Sequence, residues 1–466
     1  MAATIIEQHP LFRTLPVGQE VIFTVSNTAI VSTFTNVKFI AEVYISSGLP
    51  PNLATSSDLV GTFKTTPNNA GVGMFDFSPI IESFVNADNL ARKGSAYKST
   101  TVTLDSNVPI HLIDKYSGNI NTMRYLAIKF KTEYTDLSGD VQIEFPKPSS
   151  EYKLFNGYLK YSTDITLVNN NFGYKINTDF SFDSSTKKFL TNAPTTQYAN
   201  INDYGTMSML MVSPQSKTTP LGTSGIIFKY YDDADVQLGT SETVLHTAGN
   251  GGFTYAEANI QAGILFSGVY PANLQNWSTI FNTNISNISY YTFRVINSIV
   301  DPLSSLYRIN INCPTLKGFE PIRLAWMNQW GVWDYYTFNM KSTKSISTKG
   351  STYQQLAGTW NESAYRIDSF KGGKKSFRVN ATEKISMNTD FVNEAESEWF
   401  EELINSPEVY ILEGFQTDIN DSALNKYVTP VRLTTSSFTK KTIANDKLMQ
   451  YTFEVEKSKT LRTQSI

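Results

Sequence analysis

Three histidines are available for chemistry in this chain: His9, His111 and His246. A Ser-His-Asp or Cys-His hydrolase would have to use one of them, yet none has an acidic or nucleophilic cluster near it in the sequence, and no G-x-S-x-G elbow occurs. His246 follows Val244-Leu245 and reads as an ordinary strand residue. The densest acidic group, Asp232, Asp233 and Asp235, follows the strand expected over 226–231. A calcium loop needs six or more oxygens and a bidentate glutamate further on, whereas Val236-Gln237-Leu238-Gly239 comes next, so a solvated hairpin turn is expected. Glu394, Glu396, Glu398, Glu401 and Glu402 are spaced as a solvated helix face rather than as a catalytic pair in a cleft. Gly71-Val72-Gly73 lacks the rest of a dinucleotide fingerprint, there is no Walker loop, and Lys371-Gly372-Gly373-Lys374-Lys375 reads as a basic turn between strands. With a single cysteine, Cys313, neither an intrachain disulfide nor a cysteine zinc site can form. The expectation is a chain with no catalytic residues, no cofactor and no metal.

Aromatic side chains are the remaining binding chemistry. The run Pro321–Met340, PIRLAWMNQWGVWDYYTFNM, places three tryptophans, two tyrosines and a phenylalanine around Gly331. Two strand-like halves flank Asn328-Gln329-Trp330-Gly331, where Gly331 is free to take positive φ, so a β-hairpin or sheet corner is expected. Burying such rings contributes roughly 1.5–3 kcal/mol each. Trp326, Trp330, Trp333 and Tyr335, with Trp399 further on, are therefore candidates for core packing or an interface. Trp277 and the Tyr290-Tyr291 pair are candidates for stacking on a glycan, and Trp330, Trp333 and Trp360 could do the same if they reach the surface.

The elements that must position these residues are mostly strands. Only 17% of residues are charged, the net charge is −3, and Thr, Ser, Asn, Tyr and Phe are plentiful, a balance suited to pleated sheets with polar faces. Val37, Phe39, Ala41, Val43 and Ile45 alternate with polar neighbours at period two, as do Met449, Tyr451, Phe453 and Val455. Two short helices are expected. One follows Ser78-Pro79, with Ser78 as cap; the other starts at Asn393, buries Trp399, Phe400 and Leu403, and stops before Ser406-Pro407. The class is all-β, with β-sandwich or barrel-like domains. The length accommodates about three domains. A Pro-rich linker at Phe145–Pro148 and breakers near Cys313-Pro314 and Lys317-Gly318 place them at 1–148, 149–315 and 316–466, with an Asn156-Gly157 hairpin opening the second. No basic block of the kind that neutralises phosphates is evident, so nucleic acid is not the expected partner. No apolar run of about 18 residues and no signal-like start occur, so a soluble chain made without export or membrane insertion is expected.

Several segments together resemble an uncharacterised family of virion structural proteins of tailed bacteriophages, as in crAss-like and marine phages. They are Asn36–Tyr44 (NVKFIAEVY), Gly73–Ile80 (GMFDFSPI), Phe189–Pro194 (FLTNAP), Trp326–Tyr335 (WMNQWGVWDY) and Glu398–Tyr410 (EWFEELINSPEVY). The last two are the most specific, and together the segments span most of the chain. Met327 and Val332 stand where relatives carry a leucine and a second glycine, changes that keep an apolar hairpin. The resemblance implies a non-enzymatic role in the particle, in the tail or its tip, with copies of the chain in a ring against other tail proteins. The alternative is a receptor- or glycan-binding module at the tail tip holding host surface glycan.

Overall fold

The computed structural model describes residues 3–47, 50–85, 109–118, 121–176, 180, 185–210, 225–245, 264–297, 299–312, 318–360, 363–413, 428–437, 439 and 449–462. Strands make up 49% and helices 12%, so the protein is all-β with a few short helices. Two compact units emerge: one of residues 1–312, 327–335 and 416–425, the other of 313–326, 336–415 and 426–466. His246 and the breakers Cys313, Pro314 and Lys317 lie outside the described residues.

In the first unit the period-two strand is Thr35–Ser46. It pairs antiparallel with Met123–Thr135, with Ala41 opposite Phe130, Val43 opposite Ile128 and Ile45 opposite Leu126. These apolar residues share one face, as the pleat dictates. They join a core with Phe23, Val25 and Phe75 from the three-stranded sheet Ile5–Gln8, Ile22–Ser26 and Val72–Asp76, and with Phe77, which caps the helix after it. The result is a sandwich packed with rings, Phe23 meeting Phe77, Phe130 and Tyr152 at 5.6–5.7 Å. Gly73 sits under the Phe39 ring, where an added Cβ would lie 2.4 Å from it; close packing, not phosphate binding, accounts for that glycine. The same unit holds a five-stranded sheet, Thr196–Asn200, Tyr307–Asn312, Tyr290–Ile296, Gly225–Tyr231 and Glu242–Leu245, and a three-stranded sheet, Thr206–Leu210, Ile264–Gly268 and Tyr116–Gly118.

Three local expectations are corrected. Phe145–Pro148 does not act as a linker: Lys147–Pro148 pairs with Phe130 and Lys129, an edge position that tolerates a proline without an N–H. Tyr152–Phe155 then re-enters the same sheet between Thr14–Pro16 and Met123–Leu126, buried throughout. Asn156-Gly157 does not turn a hairpin either, because Tyr158 N–H donates to the Gln329 carbonyl (2.9 Å) and no strand follows. Finally, Ser78 is the first helical residue rather than the cap. Its N–H and hydroxyl both donate to Asp76 Oδ1, at 3.0 and 2.7 Å.

The second unit is built on six strands of one sheet in the order Ile322–Met327, Val409–Leu412, Val428–Leu433, Thr452–Lys457, Gly373–Asn388, Ser342–Gln355, with the end of Trp333–Phe338 beside the first of them. The Met449–Val455 alternation is as expected: Met449, Tyr451, Phe453 and Val455 are all buried. The helix Glu394–Asn405 starts with a capping box between Asn393 and Glu396 and buries Trp399, Phe400 and Leu403 against that sheet. Glu396 thus leaves the solvated face, and burial raises its carboxyl above the usual range despite the Asn393 N–H it accepts.

Candidate functional site

The aromatic hairpin forms as expected. Asn328 organises its turn: its N–H donates to the Val332 carbonyl (2.8 Å), and its Oδ1 accepts from Trp330 N–H (3.0 Å). Gly331 has φ +68 and lies so close to Asn156 that an added Cβ would fall 1.9 Å from that residue's carbonyl oxygen. The five aromatics singled out in the sequence divide into two clusters. Trp330 meets Phe180 edge-on at 5.0 Å, Trp333 meets His111 at 5.1 Å, and the Tyr335 hydroxyl contacts His111 Nδ1 (2.8 Å) and Thr206 Oγ1 (3.1 Å), all within the first unit. Trp326 and Trp399 lie 4.9 Å apart in the second unit, with Phe400 and Tyr336 around them. All five are buried, so within each unit they serve as core. The partners of His111 come from residues 224 and 222 positions away (Tyr335 and Trp333), which is why no cluster is visible around it in the sequence.

The glycan candidates fare differently. Tyr291 is wholly buried and its hydroxyl donates to the Val269 carbonyl at 2.7 Å. Tyr290 is stacked on Tyr231 at 4.9 Å, carries the Arg308 guanidinium 3.5 Å from its ring centre, and donates to Asp235 Oδ1. Neither tyrosine leaves a ring face for a sugar, so stacking on a glycan is corrected to packing for both. Trp330 and Trp333 are excluded by burial. Trp277 is half-buried, edge-on to Phe228 at 5.7 Å with the Lys115 ammonium 5.9 Å from its ring. Elsewhere a half-open hollow of about 230 Å³ is lined by Gly18, Gln19, Glu20, Ser78, Tyr158, Tyr161 and Tyr174. Tyr158 and Tyr161 are exposed there, and the Tyr174 hydroxyl donates to Glu20 Oε2 at 2.7 Å. Burial and that carboxylate both raise the Tyr174 hydroxyl pKa.

The charged groups form turns. Asp232 Oδ1 accepts from the N–H groups of Ala234 and Val236, with Asp235 at φ +62, as in a solvated hairpin turn. Lys371–Lys375 turns on Gly372 and Gly373, both at positive φ. Among the described residues no group of three or more His, Cys, Asp or Glu is placed to hold a metal ion.

Sequence reading misses the most prominent surface feature, a ribbon formed by Ser342–Gln355 and Gly373–Asn388. The two strands, of 14 and 16 residues, run antiparallel from Ser342 opposite Met387 to Gln355 opposite Gly373, with a bulge after Ser351. At about 3.3 Å per residue the first strand is roughly 45 Å long. Thr452–Lys457 supports the second strand only over Lys384–Asn388. Beyond that, apart from a bridge between Ala381 and Leu461, the two strands pair with each other and are exposed on both faces. The far end is a folded knob: Gly358–Thr359 pairs with Arg366–Ile367, and Asp368 accepts from Thr359 Oγ1 (2.7 Å) with Arg366 and Lys371 at 3.4 and 3.6 Å. Around it Trp360 is 80% and Phe370 72% exposed, with Leu356 and Ile367 also open. One face of the ribbon is filled by Ser, Thr, Asn, Lys and Arg, while the other carries Ile346, Val379, Ala381 and Ile385, so the second strand does hold a period-two signal over Val379–Met387 that the outer, Ser/Thr-rich strand lacks. The hairpin chemistry of Gly372-Gly373 between two such runs was a further usable signal.

No protein-family model matches the chain, and no curated protein matches it. Among solved structures, the chain is similar to alpha-2-macroglobulin of E. coli in its native conformation, with 10% identity and a TM-score of 0.19 over 83% of this chain and 22% of that one. The chain thus spans about a fifth of that protein's length.

The arrangement is one of surfaces. A buried aromatic framework holds each unit, and the ribbon presents polar backbone edges and apolar side chains to whatever lies beside it.

Proposed function

We propose that this chain is a non-enzymatic structural component of a tailed-phage virion, a multicopy assembly protein of the tail or tail tip. The family resemblance of its motifs motivates the virion assignment. The observation that carries the assembly role is the ribbon, because a two-stranded β-hairpin with both faces in water is marginally stable alone and gains stability by packing on a neighbour. Large exposed rings at its end fit an interface, where aromatic anchors supply most of the binding energy. The test is to purify the phage particles by density banding, quantify the chain by mass spectrometry and locate it with gold-labelled antibody. Several copies per particle and label on the tail are expected; absence of the chain from banded particles overturns the assignment.

The receptor-binding alternative draws on the Tyr158, Tyr161 and Tyr174 hollow, whose exposed rings beside Glu20 and Gln19 suit a sugar's apolar face and hydroxyls. Calorimetry with host capsular polysaccharide should then show binding that is lost on changing Tyr158→Ala with Tyr161→Ala. No heat from the unchanged chain removes this reading.

A further inference from the structure

The ribbon and one other surface have opposite characters. Ser342–Asn388 holds eight Lys or Arg against three Asp or Glu, a net charge of +5 in a chain of −3, which leaves the remainder at −8. Its end, Leu356–Arg378, combines Arg366, Lys371, Lys374, Lys375 and Arg378 with the exposed Trp360 and Phe370. In the first unit, Asp136–Phe145 has the reverse pattern: Asp136, Asp140 and Glu144 with no Lys or Arg, and Leu137 87% and Phe145 89% exposed beside the open residues Val141 and Ile143. This segment turns on Asp136, whose Oδ1 accepts from Ser138 and Asp140 N–H groups. Hydrogen bonding to Asp140 and Gln142 holds that carboxyl below the usual range, so it is charged at neutral pH. Among the described residues the strand that follows, Val141–Ile143, pairs on one side only, with Glu133–Thr135. A basic apolar knob and an acidic apolar hairpin, both exposed, are complementary in charge and in hydrophobic character.

We infer that the knob at the end of the ribbon of one copy docks on the Asp136–Phe145 hairpin of a second copy. The contact is heterologous, since two different surfaces meet, and a heterologous contact repeated by rotation gives a ring when the rotation closes and a filament when it does not. Trp360 and Phe370 cover Leu137, Val141 and Phe145, while Lys374 and Lys375 face Asp136 and Asp140. A second copy fits better than a nucleic acid, because the largest exposed groups of the knob, Trp360 and Phe370, are apolar. The inference rests on the reading of the chain as a multicopy assembly protein and names the surfaces that join the copies.

Two pairs of substitutions that put a charge on each apolar surface test it in the full chain, Trp360→Glu with Phe370→Glu on the knob and Leu137→Lys with Phe145→Lys on the hairpin. All four positions are exposed, so folding should be untouched, and unchanged circular dichroism and melting verify this. A third variant, in which Lys349–Asn380 is replaced by Asn-Gly, removes the knob altogether. Light scattering and sedimentation should show the unchanged chain assembling, with each variant weakening association by about thirtyfold or more. Mixing the knob and hairpin variants should restore a complex, since each supplies the surface the other lacks. A wild-type chain that stays monomeric to about 100 µM, or variants that assemble as well as wild type, overturns the inference. So does tight binding of duplex DNA or anionic vesicles that the knob variant alone loses while the oligomer persists. A chain absent from banded particles but joined through these surfaces would sink the virion reading and leave this one standing.

Discussion

Gly331 shows how one residue can be dictated by its surroundings. Its φ of +68 disfavours any side chain, and the Asn156 carbonyl oxygen occupies the place a Cβ would take. Gly331→Ala should therefore cost about 2–4 kcal/mol, combining left-handed strain with a clash against backbone that cannot swing aside; the shift of the urea midpoint measures it. Lys153 offers a test of electrostatics. It is buried in the strand Tyr152–Phe155, and burial lowers its amine from 10.5 to about 8. Unfolded, the lysine keeps its proton up to 10.5, so between these values the unfolded chain binds more protons and stability rises with pH. A gain of roughly 1–2 kcal/mol between pH 8 and about 9.5 is expected, and Lys153→Met should flatten it. Above about pH 10 the slope reverses, because burial pushes the Tyr152 and Tyr204 hydroxyls up to about 12 and the native state then binds the extra protons.

At the scale of elements, the helix Glu394–Asn405 is specified by adjacent residues. Asn393 and Glu396 close its first turn reciprocally, and Trp399, Phe400 and Leu403 recur at the spacing of one face. Asn393→Ala should cost about 1 kcal/mol, while Trp399→Ala, which empties the space beside Trp326, should cost about 3–5 kcal/mol. Chemical denaturation followed by tryptophan fluorescence separates the two. The ribbon is an element of another kind: its hydrogen bonds are local, yet only Ile385 and Met387, at its base, bury their side chains. Its long edge is nonetheless guarded, with Lys344 and Lys349 on the outer strand and a bulge midway, features that discourage indiscriminate strand pairing and favour a chosen partner.

For the whole molecule, the ribbon should be separable from the fold. Replacing Lys349–Asn380 by Asn-Gly keeps the Thr348–Ala381 pair and closes it with a two-residue turn. Calorimetry should find the melting of both units within about 2 °C of the unchanged chain, because the excised residues contribute almost nothing to either core. Assembly, followed by light scattering, should be lost. Raising the salt should also loosen the assembly of the full chain, since exposed opposite charges more than a Debye length apart are screened, while the melting of the units changes little.

Local patterns were enough for much of this protein. Period-two alternation in Val37–Ile45 and Met449–Val455, the capped helix after Asn393 and the glycine turn of the tryptophan hairpin could all be read from neighbouring residues, because pleat, cap and turn are properties of a few adjacent positions. The all-β class followed from them. Only the tertiary structure decided where the aromatics go. It divided the five chosen rings between two units, paired His111 with Tyr335, and covered both faces of Tyr290, contacts set by chain segments tens to hundreds of positions apart. It also returned Tyr152–Phe155 to the sheet that the Pro-rich stretch had been expected to leave. The ribbon escaped reading for a related reason. Its outer strand buries no face and its second strand buries only Ile385 and Met387 at the base, and hydrophobic periodicity is strongest where a whole face is buried.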